Sequence, residues 1–174
     1  MATRFEHSHL FPDTTTRALL AAFTHPDHQA MQDRFVKIVR REVIERTDDE
    51  HHYRCECRVF PERQLPAFVR PFVRGGLEYH EVVSWDKATD VLEVDVQPAI
   101  LGGRSRIRGT SRVVAEGSGA RRIYTAIVTV EVPLLGARME RAIVADLGKA
   151  MDGAVGRTQT WLAAQSAQQR KPVE

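Results

Sequence analysis

The chain has 174 residues, of which 43% are hydrophobic and 28% are charged. This composition is typical of globular domains and excludes disordered and fibrous proteins. The formal net charge is only +2, because 25 basic residues are offset by 23 acidic ones, and so small a charge argues against nucleic acid as a partner. We expect one domain over residues 1–174, with a core at about 4–165 and a polar tail at 166–174.

The composition of the chain also predicts its compartment. No apolar run approaches the roughly 20 residues that a membrane-spanning helix needs, and the N-terminus lacks the apolar core of a signal peptide. We therefore predict a cytoplasmic protein. Cys55 and Cys57 are two positions apart in a strand-like segment. A disulfide between them would strain the backbone, so both are predicted to be reduced thiols.

The first third of the sequence predicts a strand, two short helices and a β-hairpin. Pro12 ends the first strand, and threonines suited to helix capping follow it. Pro26 suits the first turn of the second helix. From residue 35 the hydrophobic period changes from helical to two, which is typical of strands. The predicted elements are a strand at 4–11, helices at 16–23 and 26–34, and strands at 35–47 and 52–60.

Four further strands are predicted in hairpin succession. Turn residues separate the segments that alternate with a period of two. Gly102-Gly103 is interpreted as a hairpin turn, and Pro133 ends the last strand. The predicted strands are 77–85, 91–96, 104–114 and 122–132.

The last predicted element is a long helix over residues 135–165. It contains no proline, and its apolar residues recur with helical spacing over a length of about 45 Å. Gly148, Gly153 and Gly156 interrupt it, each at a cost of about 1 kcal/mol relative to alanine. Either close packing on the sheet or space for a ligand explains these glycines. The apolar stripe comprises Met139, Ile143, Leu147, Met151, Val155 (or Ala154), Thr158 and Leu162.

This order of elements resembles the START-like helix-grip (SRPBCC) superfamily, which includes pollen allergens, polyketide cyclases and lipid-transfer proteins. Residues 129–140, Thr-Val-Glu-Val-Pro-Leu-Leu-Gly-Ala-Arg-Met-Glu, are similar to the junction between the last strand and the long helix in bacterial members of uncharacterised function. That junction has the pattern V-P-L-x-G-x-x-x-E. The resemblance implies an α+β fold in which a curved antiparallel sheet of six to seven strands wraps around the C-terminal helix.

The resemblance also implies an apolar cavity between the sheet and the 139–158 face of the long helix. Side chains from the helix and from one face of the sheet are expected to line it. The alternative for each of these residues is a place in a packed core. The predicted ligand-binding residues are Tyr53, Tyr79, Val83, Val94, Val96, Ile107, Tyr124, Met139, Ile143, Leu147 and Met151.

The segment 61–76 combines three prolines, which exclude a regular strand, with apolar residues at helical spacing and several arginines. One interpretation is a gate at the cavity mouth in which Phe68 and Phe72 touch the ligand. Its arginines and aromatic residues would also suit transient contact with an anionic membrane surface. The alternative is a folded-down loop that inserts Phe68 and Phe72 into the core.

Metal sites and catalytic groups have little support in the sequence. The seven histidines and two cysteines do not form paired motifs with zinc-ligand spacing, so we predict neither a metal nor a cofactor. Glu81 is the one catalytic candidate. If Tyr79 faces the cavity, so does Glu81, and burial would raise the pKa of its carboxyl group into a range suited to acid–base chemistry. The alternative is an arginine paired with Glu81.

Three functions remain open from the residues. The first is binding or transport of an apolar or amphipathic small molecule, such as a lipid, an isoprenoid or a polyketide. The second is an aromatase- or cyclase-like enzyme in which Tyr79, Glu81 and Tyr124 hold a flexible polyketone. The third is a protein-interaction module with a filled core. Binding is favoured over catalysis because no catalytic signature accompanies the resemblance.

Overall fold

The computed structural model describes residues 2–62 and 76–169, which form seven strands and three α-helices. The elements follow the predicted order, with strands that lie within two or three residues of the expected bounds. They are β1 (Ala2–Phe11), α1 (Thr16–Thr24), α2 (Pro26–Phe35), β2 (Ile38–Asp48), β3 (His52–Pro61), β4 (Tyr79–Asp86), β5 (Val91–Pro98), β6 (Ser105–Glu116), β7 (Gly119–Val130) and α3 (Gly136–Gln169).

The strands form one antiparallel sheet in the order β1-β7-β6-β5-β4-β3-β2. Strands β2 to β7 are consecutive neighbours, whereas β1 pairs with β7, with Phe5 opposite Ala126. The sheet is therefore open, with β1 and β2 at its edges, and α1 and α2 connect one edge to the other. This arrangement, with α3 after the last strand, is the predicted helix-grip fold.

The two short helices begin with side-chain caps, of which the sequence indicated the threonine cap of α1 and the proline in the first turn of α2. The hydroxyl oxygen of Thr15 accepts a hydrogen bond from the backbone N–H of Ala18 at 3.1 Å, which satisfies one of the free donors of α1. At the start of α2, His25 Nδ1 accepts from the N–H of Asp27 at 3.2 Å, and Pro26 occupies the first turn.

The corner between β5 and β6 differs from the predicted Gly102-Gly103 hairpin turn. Residues Ile100–Gly103 form a short 3₁₀ turn in which Leu101, Gly102 and Gly103 have φ values of 63°, 61° and 81°. Strand β5 ends at Pro98, which has no N–H to donate to the ladder. The next N–H, that of Ala99, donates to the carbonyl of Glu78 at 2.9 Å. The corner is consequently wider than a two-residue turn.

The concave face of the sheet carries the core. Alternate residues of β3 are buried, as the period of two predicted, and β4 and β5 continue the same buried face. Helix α1 and the middle of α3 cover this part of the sheet. Cys55 and Cys57 are free thiols, with 3.5 Å between their sulfur atoms. The buried side chains include Leu19, Leu20, Tyr53, Cys55, Cys57, Val59, Trp85, Leu92 and Val155.

Glu140 fastens the start of α3 to the sheet. Its side chain is only 1% exposed. One carboxylate oxygen accepts from the backbone N–H of Val130 at 3.0 Å, and the other accepts from the hydroxyl of Thr3 at 2.7 Å. Gly136 allows the same close approach, since a Cβ there would collide with the carbonyl oxygen of Val130. The V-P-L-x-G-x-x-x-E pattern thus specifies how the helix joins β1 and β7.

We expect Glu140→Leu to destabilise the protein by about 3 kcal/mol, because it leaves a buried backbone N–H without an acceptor. Glu140→Gln should cost about 1 kcal/mol or less, since the amide oxygen can still accept from Val130 while its NH₂ group donates to the Thr3 hydroxyl. Urea unfolding of both variants measures the difference. Equal losses in the two variants would show that hydrogen bonding by residue 140 is not the source of its effect.

Candidate ligand-binding cavity

Helix α3 covers the concave face unevenly. It packs most closely against β1 and β7, at one side of the sheet. Farther across, Trp85 and Leu92 are buried, whereas the other inward-facing apolar side chains of β4 and β5 remain partly exposed although they point toward the helix layer. Ile143, Leu147 and Met151 of α3 are also partly exposed. The partly exposed inward residues of the two central strands are Tyr79, Val83, Val94 and Val96.

The remaining predicted lining residues differ in burial. Tyr53, Tyr124 and Met139 are 4–5% exposed and belong to the walls, whereas Ile107 is partly exposed. Met139 packs in a separate small cluster with Val130 near the start of α3. Their contact with a ligand stays a prediction. The predicted gate residues, Phe68 and Phe72, lie outside the described residues, as does most of the segment 61–76.

Close packing explains one of the three glycines in the middle of α3. A Cβ at Gly153 would collide with the ring of Phe35, so α2 and α3 approach closely there. A Cβ at Gly148 would lie 3.7 Å from the Phe5 ring, which is ordinary van der Waals contact, and Gly156 is exposed. Close packing is therefore the reason for Gly153, although the partner is α2 and not the sheet.

A half-buried ion triad joins three elements on the β2 side of the inward face. Arg41 of β2 donates from Nε and Nη2 to the carboxylate of Asp33 in α2, at 2.8 and 2.9 Å. Its Nη1 donates to Glu81 of β4. Burial alone would lower the pKa of Arg41, but the hydrogen bonds to Asp33 and the charge of Glu81 outweigh burial and raise this pKa above its ordinary value.

The triad decides how Glu81 can be used. As expected, Glu81 shares the inward face with Tyr79. The structure then follows the alternative left open by the sequence, an arginine paired with Glu81, so the carboxylate is not free to contact a ligand. Burial raises the pKa of the Cys57 thiol, opposite Glu81, to about 11, so this thiol is protonated at pH 7.

We expect Arg41→Met to destabilise the protein by about 2 kcal/mol at neutral pH, because it leaves two half-buried carboxylates without a cation. Glu81→Gln should cost about 1 kcal/mol or less, since the two-point contact between Arg41 and Asp33 remains and one of two neighbouring negative charges disappears. Urea unfolding gives both values. Glu93→Gln, on the exposed face of β5, is the control and should change stability little. A larger loss for Glu81→Gln than for Arg41→Met would contradict this account.

A second inward arginine, Arg122 of β7, has no acidic partner among the described residues. It lies on the same face as Tyr124, two positions away. Its Nε donates to Ser111 Oγ at 2.9 Å, and its guanidinium carbon lies 4.2 Å from the centre of the Phe23 ring. Burial lowers the pKa of Arg122 to about 10, so the group still carries a positive charge at pH 7. The sequence analysis missed this residue, although alternation with Tyr124 was the available signal.

A neutral histidine connects α2 and α3 nearby. His28 is 2% exposed, and its Nε2 lies 3.0 Å from Thr158 Oγ1. Gln32 Nε2 donates to the same hydroxyl oxygen at 3.1 Å. Burial, with a smaller contribution from the charge of Arg122, lowers the pKa of His28 to about 4. The imidazole is therefore uncharged at pH 7 and serves to hold the two helices together.

The histidine predicts an acid-sensitive fold. The pKa of His28 is about 4 in the folded protein and 6.5 for an ordinary histidine, so protonation favours the unfolded chain. The contribution of the neutral His28 imidazole to the free energy of unfolding is fully present above pH 6.5 and is lost as the pH falls toward 4. Between pH 7 and pH 5 the wild type should lose about 2 kcal/mol more stability than His28→Asn, as measured by urea unfolding. Parallel losses would show that His28 does not titrate in this range.

Other polar groups do not converge on a metal. In the described part of the chain, no three His, Cys, Asp or Glu side chains form a group that could hold an ion. His7 and His9 share the inward face of β1 with their rings stacked at 5.9 Å, and His7 is 2.9 Å from Asp152.

No described helix is long and apolar enough to cross a bilayer.

The sequence from residue 6 to 162 matches a family model described as "Protein of unknown function (DUF2505)". No curated protein matches the sequence significantly. Solved structures, in contrast, resemble the fold over almost its entire length, and they include START-type proteins. The predicted resemblance to the START-like superfamily is thereby confirmed at the level of the fold.

Three of these solved structures illustrate the different kinds of protein that have this fold. A norcoclaurine synthase mutant from Thalictrum flavum, in complex with a transition-state analogue, has a TM-score of 0.66 at 12% identity, over 95% of this chain and 97% of that one. An aromatase/cyclase from a Streptomyces species has a TM-score of 0.65 at 10% identity, over 95% and 96%. A START superfamily protein from Mycobacterium smegmatis has a TM-score of 0.60 at 10% identity, over 92% and 98%. Identities this low show the fold alone.

Proposed function

Because the chain belongs to the DUF2505 family and has a START-like fold, we propose that it binds an apolar or amphipathic small molecule between the sheet and α3. The observation that carries this proposal is the incomplete cover of the concave face. Inward apolar residues such as Val83 and Val94 are partly exposed where a packed core would bury them. Apolar side chains that converge without complete burial are typical of ligand cavities.

The ligand would be held mainly by desolvation. Met151 and Ile143 of α3 face the sheet from one side, and Val83, Val94 and Val96 face the helix from the other. Burial of apolar ligand surface stabilises a complex by about 25 cal/mol per Å² before the entropy of association is subtracted. A methionine adapts to ligands of irregular shape because its side chain is flexible.

The fold supports binding over the two alternatives. Structures of the same fold include a synthase in complex with a transition-state analogue, so the fold accommodates small organic molecules in at least one relative. A cyclase-like reaction at Glu81 would need that carboxylate free, whereas Arg41 holds it. A filled-core module would bury the inward residues of β4 and β5 fully.

Native mass spectrometry of the protein purified from its own host tests the proposal directly. A compound that organic extraction releases would identify the ligand class. In parallel, the uncharged fluorescent probe N-phenyl-1-naphthylamine should bind the extracted protein with increased fluorescence. If neither a released compound nor probe binding is found, the proposed function is wrong.

Met151→Trp is expected to weaken probe binding at least tenfold, because the larger side chain fills the space between α3 and the sheet. The control is Lys149→Trp on the exposed face of the same helix, which should bind the probe as the wild type does. Fluorescence titration measures both affinities.

The free energy of unfolding distinguishes a protein with a cavity from one with a packed core. If the space exists, Met151→Trp should change the free energy of unfolding by less than about 1 kcal/mol. In a closely packed core the same substitution costs about 1–3 kcal/mol, and that larger loss would contradict the cavity.

A further inference from the structure

We infer that the cavity binds an amphipathic acid whose carboxylate pairs with Arg122, an inference that rests on the ligand-binding function proposed above. The ligand class is an apolar chain or ring system with one negative charge, such as a fatty acid. Arg122 lies on the inward face of β7, opposite His9 of β1 and Val113 of β6. Its side chain thus projects from the wall that α3 covers.

The contacts of the Arg122 guanidinium are with neutral groups. Nε donates to Ser111 Oγ at 2.9 Å, and Nη1 lies 3.7 Å from the sulfur of Met151. The guanidinium carbon lies 4.2 Å from the ring centre of Phe23 and 5.2 Å from that of Tyr124. Burial raises the pKa of Tyr124, so its hydroxyl is uncharged at neutral pH. None of these partners neutralises the arginine.

The composition of the segment 63–75 excludes a carboxylate side chain there as the partner of Arg122. That segment contains three arginines and no aspartate or glutamate. Within the ranges 2–62 and 76–169, Arg122 forms no ion pair with a carboxylate, although part of its side chain remains accessible. The positive charge is therefore both uncompensated by these parts of the chain and within reach of a ligand.

The charge of the other inward arginine, in contrast, is neutralised by carboxylates. Arg41 has Asp33 and Glu81 on its guanidinium, and their two negative charges exceed its single positive one. An interior cation without such partners is costly, so its presence is explained when a ligand supplies the missing charge. The planar guanidinium has five N–H donors in a fork that matches the two oxygens of a carboxylate.

The charge of the neighbourhood indicates a monoanion. His28 is neutral at pH 7 because its pKa lies near 4. Burial and the neighbouring His7 also lower the pKa of His9, so that ring adds no positive charge. Arg122 alone would have to balance the ligand, and one carboxylate matches it. A phosphate monoester would leave a second negative charge unbalanced in the interior.

The position of Arg122 orients the ligand. The guanidinium contacts Met151, which is one of the residues predicted to line the cavity. If the carboxylate of the ligand pairs with Arg122, the apolar part of the ligand would therefore extend into the space bounded by Met151 and Tyr124. The carboxylate head group would lie near α1 and α2, where the ring of Phe23 contacts the ring of His28.

A matched pair of probes tests the inference: 11-(dansylamino)undecanoic acid and its methyl ester. The wild type should bind the acid more tightly than the ester. Arg122→Met, which keeps the length of the side chain without the charge, should weaken the acid about tenfold or more and change the ester by about twofold or less. Arg122→Lys should give an intermediate loss for the acid, because it keeps the charge without the fork.

Arg121→Met is the control, since Arg121 donates to Glu116 at 2.7 Å. This variant should keep the wild-type ratio of acid to ester affinity. Thermal unfolding gives a second readout. Without ligand, Arg122→Met should be at least as stable as the wild type, because it removes a buried charge. Addition of the acid should raise the melting temperature of the wild type more than that of Arg122→Met.

The outcomes separate this inference from the proposed function. If Arg122→Met weakens the acid and the ester equally, or weakens neither, Arg122 does not hold the carboxylate and the inference fails while ligand binding stands. The same conclusion follows if the wild type binds the ester but not the acid. If the wild type binds neither probe and also fails to bind N-phenyl-1-naphthylamine, the proposed function fails and this inference fails with it.

Discussion

The position of α3 over the β1–β7 side of the sheet is the constraint on which the rest of the structure depends. Glu140 holds the first turns of the helix to β1 and β7, and His28 with Thr158 holds its later part to α2. Gly136 and Gly153 allow these close approaches because a side chain would collide at either position. A helix fixed at one side of a wide sheet covers the central strands only in part, and the partly exposed Val83, Val94 and Val96 follow from that geometry.

The interior polar groups divide into those that stabilise the fold and those left for other uses. Glu140 and His28 each connect a helix to another element through hydrogen bonds, and Arg41 joins β2 to α2 and β4 through two carboxylates. Each of these groups is satisfied by the protein itself. Arg122 differs from them, since its described neighbours are a hydroxyl, a thioether and two aromatic rings and none of them carries a negative charge. An interior charge without a counter-ion is where function and stability oppose each other.

Much of the fold could be predicted from the sequence, because each element carries a local signal. The alternation at Tyr53, Cys55 and Cys57 predicted the buried face of β3 correctly, and the helical stripe of α3 contains the buried Met139, Val155 and Thr158. The corner at Gly102-Gly103 could not be predicted, because it depends on a backbone hydrogen bond from Ala99 to Glu78, the residue before β4. The resemblance to known folds supplied the assembly that local signals lack.

The interior charges show the physical limit of sequence analysis. Register shifts in β2, between Ile38 and Arg40 and again between Val43 and Glu45, disturb the alternation, so the period of two does not show which face Arg41 occupies. Arg122 obeys the alternation with Tyr124, yet hydrophobic patterning assigns arginines to the surface, because patterning measures the average cost of burial. A residue buried against that average is invisible to the pattern that predicts the fold, and its partners, Ser111, Phe23 and Met151, come from three other elements. The residues most informative about a ligand are therefore those that three-dimensional structure alone brings together.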